Sequence, residues 1–110
     1  MVAERHAASA DPTRQEIDAL DGSTVLEFGT SWCGFCRAAQ PLVAASLAGH
    51  AAVRHVKIED GPGRRLGRSF GVKLWPTLVF LRQGQELARV VRPRDAAALD
   101  RAFSTIDGAR

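Results

Sequence analysis

Thr24-Val25-Leu26-Glu27-Phe28 is a run of β-forming residues, and Trp32-Cys33-Gly34-Phe35-Cys36 follows it closely. Beyond that pair of cysteines Ala39, Val43 and Leu47 recur every four residues beside Ala38 and Leu42. The first run predicts a strand and the second an amphipathic helix reaching about Gly49, with Gly29 to Trp32 as the loop between them. Both cysteines are therefore expected on the first helical turn, just past the end of a strand. Residues three apart on such a turn face the same side, so their sulfurs can reach the ~2 Å length of a disulfide with little backbone movement. Unpaired N–H groups and the dipole at a helix start favour negative charge. This predicts Cys33 as an accessible thiol with its pKa drawn from ~8.5 toward ~7, a nucleophile for which Cys36 is the resolving partner.

Three blander uses of the pair stay open at this point: an inert structural disulfide, half of a metal site, or two chance core cysteines. A zinc site normally needs four protein ligands, and His6, His50 and His55 form no recognisable second pair, so no metal is expected. The histidines read as surface or strand residues.

The remaining pattern frames a single domain. Asp11-Pro12-Thr13 marks the start of a short helix to about Leu20, which Asp21-Gly22-Ser23 stops. Residues 52–58 read as a second strand, and Gly61-Pro62-Gly63 then leads into an Arg-rich helix with Leu66 and Phe70 facing inward. Residues 77–81 and 86–91 are two β-rich runs around Arg82-Gln83-Gly84-Gln85, a hairpin turning at Gly84. Ala96, Leu99, Phe103 and Ile106 mark an amphipathic closing helix, and Pro41 should kink the long helix. Strands separated by helices and closed by a hairpin imply the α/β class: three layers, α/β/α, around a central mixed sheet of four or five strands with helices on both faces. The domain is expected over residues 12–110, with residues 1–11 a poorly ordered or weak edge segment.

Composition narrows the class further. A chain of 110 residues, 45% hydrophobic and 25% charged, suits one small globular core. Its longest apolar run, residues 72–81, is broken by Lys73, Pro76 and Thr77 and falls far short of the ~20 residues of a membrane span. Residues 1–10 hold Glu4, Arg5 and His6 with no apolar stretch behind them, so no secretory signal is expected and the cytoplasm is the expected compartment. The net charge of +3 is dispersed among acids, and the densest basic cluster, Arg64, Arg65 and Arg68, has no interleaved aromatics. No nucleic-acid partner is expected.

Taken in order, the strand ending in Glu27-Phe28, the Trp32-Cys33-Gly34-Phe35-Cys36 motif, Pro41, Lys57 in the next strand, Trp75-Pro76-Thr77 and Gly84 in the hairpin resemble the thioredoxin family from about residue 12 to residue 107. The resemblance implies a monomeric thiol–disulfide oxidoreductase that reduces protein disulfides and is recharged by a separate reductase. It implies no bound cofactor beyond the redox-active Cys33–Cys36 disulfide. It also implies a cis bond at Pro76 packed against the cysteines, with extended substrate bound along the backbone of Trp75 and by Trp32, Gly34 and Phe35. Glu27 stands where most members have aspartate, beneath the second cysteine whose proton it helps to move, and Lys57 is its implied partner. Burial should raise the Glu27 pKa toward a range useful for proton transfer. Two departures stand out: Phe35 replaces the proline between the cysteines, and Arg92 replaces a glycine near the site, narrowing the groove or favouring acidic partners. Together with Trp75 they leave open an oxidoreductase serving one dedicated partner; from a different class, a binding or assembly module on the same fold, its thiols incidental, also stays open.

Losing the proline between the cysteines should make the pair less reducing. Equilibration with a glutathione buffer should give a potential above the ~−270 mV of thioredoxin itself; a value at or below that reference contradicts the expectation.

Overall fold

The computed structural model describes residues 11–107. The weak edge segment expected at residues 1–11 lies outside them except for Asp11. Helix α1, Arg14–Asp18, starts at Thr13, whose hydroxyl accepts from the Glu16 amide at 3.1 Å while the Glu16 carboxylate accepts from the Thr13 amide at 2.9 Å. This reciprocal cap satisfies two donors that a helix start leaves unpaired. Next come β1, Ser23–Gly29; α2, Gly34–Ala48; β2, Arg54–Glu59; α3, Arg65–Ser69; β3, Thr77–Arg82; β4, Gln85–Val91; and α4, Ala96–Ile106.

Four strands pair in the order β2-β1-β3-β4. β1 and β2 run parallel, whereas β3 is antiparallel to both β1 and β4. The mixed sheet expected from helices between the first strands and a closing hairpin is thus present. In the hairpin turn Gly84 has a positive φ of 78° and packs so tightly on the backbone of Asp18 that a Cβ would overlap the Asp18 carbonyl. Only glycine suits both demands.

The central strands are covered on both faces. Val25, Leu78 and Phe80 point toward Ala39 and Val43 of α2 and toward Leu99, Ala102, Phe103 and Ile106 of α4. Leu26, Phe28, Val79 and Leu81 point the other way, onto Ile17 and onto Leu66 and Phe70, the two inward residues expected near α3. Period-2 alternation sends neighbouring residues to opposite layers, so β1 reads as a continuous apolar run.

Two helix faces differ from the sequence pattern. Cys36, Ala39, Val43 and Ser46 face the sheet, spaced three and four apart, whereas Ala38 is rotated away and exposed. Ser46 is tolerated there because its hydroxyl donates to Asp100 at 2.8 Å. On α4, Ala96 directly follows the Asp95 cap and is exposed, and Ala102 takes a core place beside Leu99 and Phe103. Pro41 lies inside α2, which runs on through it. Among the described residues no helix is long and apolar enough to cross a membrane.

Strand register decides where chemistry is possible. Gly29 is level with Glu59, Phe28 with Thr77, and Thr77 with Val91. The loops that follow β1, β2 and β4, together with the one that precedes β3, therefore gather at one end of the sheet.

Candidate active site

At that end α2 begins. Cys33 caps it with extended backbone angles, and its Sγ accepts a hydrogen bond from the Cys36 amide at 3.1 Å. Cys36 sits one turn along, with its sulfur against the end of β1: a Cβ at Gly29 would lie 2.6 Å from Cys36 Sγ. The bare backbone of Gly29 is the seat of that sulfur. Both cysteines are free thiols, and each is only 6% exposed. The open Cys33 expected from the sequence is corrected on this point, because its sulfur folds back over the helix start to reach the Cys36 amide. Exposure passes instead to its neighbours, Trp32 at 70% and Phe35 at 57%, while Gly34 has open space around its Cα.

The two thiols differ in their surroundings. Burial, the Cys33 sulfur and the negative charge of Glu27 push the Cys36 thiol up to about 11, against a smaller opposing pull from the Thr30 amide. Glu27 itself is 4% exposed on the α2 side of β1. Its Oε2 accepts from Gln40 Nε2 at 2.7 Å, and the same Gln40 nitrogen donates to the Cys36 carbonyl at 3.2 Å. His55 Nε2 lies 2.7 Å from Glu27 Oε1. Burial alone would raise the Glu27 pKa, but the hydrogen bonds with His55 and Gln40 and the charges of His55 and Lys57 outweigh it, and the net direction is down. The upward shift expected from burial is therefore corrected.

So is the pairing of Glu27 with Lys57. Lys57 is exposed and donates to Gln40 Oε1 at 3.3 Å, leaving His55 as the strand residue in direct contact with the Glu27 carboxylate. The backbones of Glu27 and Lys57 are level across the parallel pair, but the long lysine chain leans outward and the shorter imidazole reaches the buried carboxylate. Gln40 and His55 were not among the expected site residues. Their signal is positional: Gln40 follows Cys36 by one helical turn, and His55 shares a strand face with Lys57.

The rim is built by the other loops. The Trp75–Pro76 bond is cis and Pro76 is buried. The Trp75 ring is half-buried, its Nε1 donates to Asp60 at 2.8 Å, and it meets Trp32 edge-on at 5.6 Å. Asp60 is a further residue the sequence did not single out; its carboxylate lies over Gly67, where any Cβ would collide with it. Arg92 stands at φ 51°, a left-handed conformation that costs a residue other than glycine roughly 1–2 kcal/mol. Its amide donates to the Pro76 carbonyl at 3.0 Å, its Nε donates to the Trp75 carbonyl at 2.8 Å, and its guanidinium lies 3.9 Å above the Phe35 ring. The structure thus brings Cys33, Cys36 and Glu27 together at the base, and Trp32, Gly34, Phe35, Trp75, Pro76 and Arg92 around the opening. Thr30 Oγ1, beside the same opening, is buried and has no hydrogen-bond partner among the described residues.

Residues 6–105 match the family model described as Thioredoxin. The chain belongs to the thioredoxin family. Its Cys33–Cys36 pair is the thiol–disulfide oxidoreductase centre of that family, which uses the paired cysteines and no bound cofactor. The chain is similar to thioredoxin 2 from Pseudomonas aeruginosa PAO1, solved in its reduced form, with 56% identity, a TM-score of 0.83 and coverage of 99% of this chain and 100% of that one. It is 30% identical to a thioredoxin from Chlamydia muridarum over 76% of this chain and 81% of that protein. It is 34% identical to human protein disulfide-isomerase A2 over 83% of this chain, spanning only 22% of that protein's length.

The lowered Glu27 pKa has a consequence for stability. A carboxylate held below its usual range stabilises the fold at pH values above that range, and this contribution fades as pH falls through the lowered value. Glu27→Gln should therefore lower the urea midpoint at pH 7, and the gap from the unaltered protein should narrow on acidification to pH 3. A gap that widens on acidification would show that burial, not pairing, dominates at Glu27.

Proposed function

We propose that this thioredoxin-family chain reduces disulfides in protein substrates, with Cys33 as the attacking thiol and Cys36 as the resolving one. The observation that carries the assignment of roles is the asymmetry of the pair: Cys33 Sγ accepts the Cys36 amide at the helix start, whereas Cys36 is held protonated up to about 11. Cys33 Sγ thus sits where a helix start leaves backbone N–H groups unpaired, with one of them aimed at it.

In the first step Cys33 Sγ bonds to one sulfur of the substrate disulfide, the substrate S–S bond breaks, and the other sulfur leaves as a thiolate that takes a proton from water. Capture of Cys33 in this mixed disulfide removes the negative charge that helps keep Cys36 protonated. Cys36 then gives up its proton to the departing substrate sulfur and attacks Cys33 Sγ, with the ionised Glu27 carboxylate, joined through Gln40 to the Cys36 carbonyl, as the proposed relay. The Cys33–Cys36 bond forms, the bond from Cys33 to substrate breaks, and the second substrate thiol is released. Two electrons have moved from the chain to the substrate. A thioredoxin-reductase-like partner must return them, and a reducing compartment such as the cytoplasm suits that direction of flow.

Trp32, Gly34, Phe35, Trp75 and Pro76 form the surface a substrate meets, and the exposed rings supply apolar contact area. The chain acts as a monomer in this scheme.

Insulin reduction driven by dithiothreitol tests the activity. Cys33→Ser should lower the rate at least 100-fold. Cys36→Ser should accumulate mixed disulfides with its partners, visible as species that a reductant dissolves. A chain that fails to reduce insulin, and whose Cys36→Ser variant captures nothing, would instead be a binding module on the same fold.

A further inference from the structure

Arg92 supplies a cation that the thiol chemistry does not use. Its side chain is fixed at two points, by Nε on the Trp75 carbonyl and by the stack of the guanidinium on Phe35, the residue between the cysteines. Among the described residues, the ion pairs engage Arg14, Arg64, Arg89, His50 and His55 but not Arg92. Its outer nitrogens have no carboxylate partner among the described residues.

The two loops that hold it carry no acid. The loop of residues 71–76 carries Lys73 and no acid, and residues 92–94 carry Arg92 and Arg94. Asp95, which follows, caps α4 through the Ala98 amide at 2.9 Å, and Asp60 is tied to the Trp75 indole. The opening over the cysteines is therefore apolar on the rings of Trp32 and Phe35 and positive where Arg92 lies across Phe35, with the Asp60 carboxylate engaged at the Trp75 indole.

A guanidinium held flat in this way keeps its planar fork of donors pre-ordered, so little side-chain freedom is lost when a carboxylate pairs with it. We infer that Arg92 is a specificity-determining residue: it binds a carboxylate next to the substrate disulfide, so that the chain prefers acidic disulfide segments. The inference rests on the disulfide-reductase reading and names its substrate class. An acidic side chain would gain a charge-assisted pair at Arg92, an amide would gain a weaker one, and a lysine would meet a like charge.

Three short fluorogenic peptides test this, each with one internal disulfide and identical except that the residues flanking the reactive cysteines are Glu, Gln or Lys. With the full chain and dithiothreitol as electron donor, kcat/KM should be about five-fold higher for Glu than for Gln and lowest for Lys. The difference should lie in KM and shrink as salt is raised. Arg92→Gly suits the positive φ and should reduce all three peptides with equal kcat/KM. Arg92→Lys should keep a salt-sensitive but smaller preference. Equal kcat/KM for the Glu and Gln peptides in the unaltered chain, or a ranking that survives in Arg92→Gly, overturns the inference, and undiminished insulin reduction would then show that the reductase reading still stands. If neither insulin nor any peptide is reduced, that reading falls and the inference with it.

Discussion

Cys36 Sγ rests on the end of β1 at the one point where the strand presents no side chain, so close that a methyl group on Gly29 would lie 2.6 Å from it. That contact locks the first turn of α2 onto the sheet. Once the turn is fixed, the Cys36 amide is aimed at Cys33 Sγ, and Cys36 itself is sealed above Glu27. Two chemically identical side chains three residues apart are thereby given different properties by position alone. One caps a helix; the other is buried beside a carboxylate. The division of labour proposed for dithiol exchange rests on this difference, with no special reactivity required of either residue type.

The base and the rim of the site follow different physics. At the base, Glu27 is nearly dry but not isolated, because Gln40 and His55 each contact one of its oxygens and Lys57 adds charge from the exposed side. An unpaired carboxylate in that position would be costly, and the paired one stays ionised. At the rim the aromatic surfaces are left open, Trp32 and Phe35 being more than half exposed, and charge is held at the surface by the Arg92 stack. Burial with pairing holds the base in one arrangement, and exposure with pre-ordering leaves the rim open to the recognition proposed for it.

Much of this was legible in the sequence where local pattern and chemistry coincide. The β-run ending at Phe28, the cysteines at the start of a four-residue apolar repeat and the hairpin at Gly84 each carry their own signal, and each element lies within a residue or two of its expected bounds. The side-chain partners of the site were less legible. Glu27 was expected to meet Lys57 because their strand positions match, but side-chain length and direction decide which of two residues on one strand face reaches a buried oxygen, and His55 does. The burial of Cys33 has no local signature for a related reason, since the side chain that caps the helix start is drawn inward onto the Cys36 amide. Arg92 drew notice as a departure from a family glycine, but its stack on Phe35 spans more than fifty residues of sequence and has no local signature.

The asymmetry of the two thiols is open to direct measurement. Both residues are 6% exposed, so a small alkylating reagent compares two thiols of like residue burial, one of which is held protonated up to about 11. Reduced protein treated with limiting iodoacetamide at pH 7 and mapped by mass spectrometry should carry the label on Cys33, with Cys36 reacting only as the pH approaches about 11. Labelling of Cys36 at pH 7 as fast as Cys33 would contradict the division of roles.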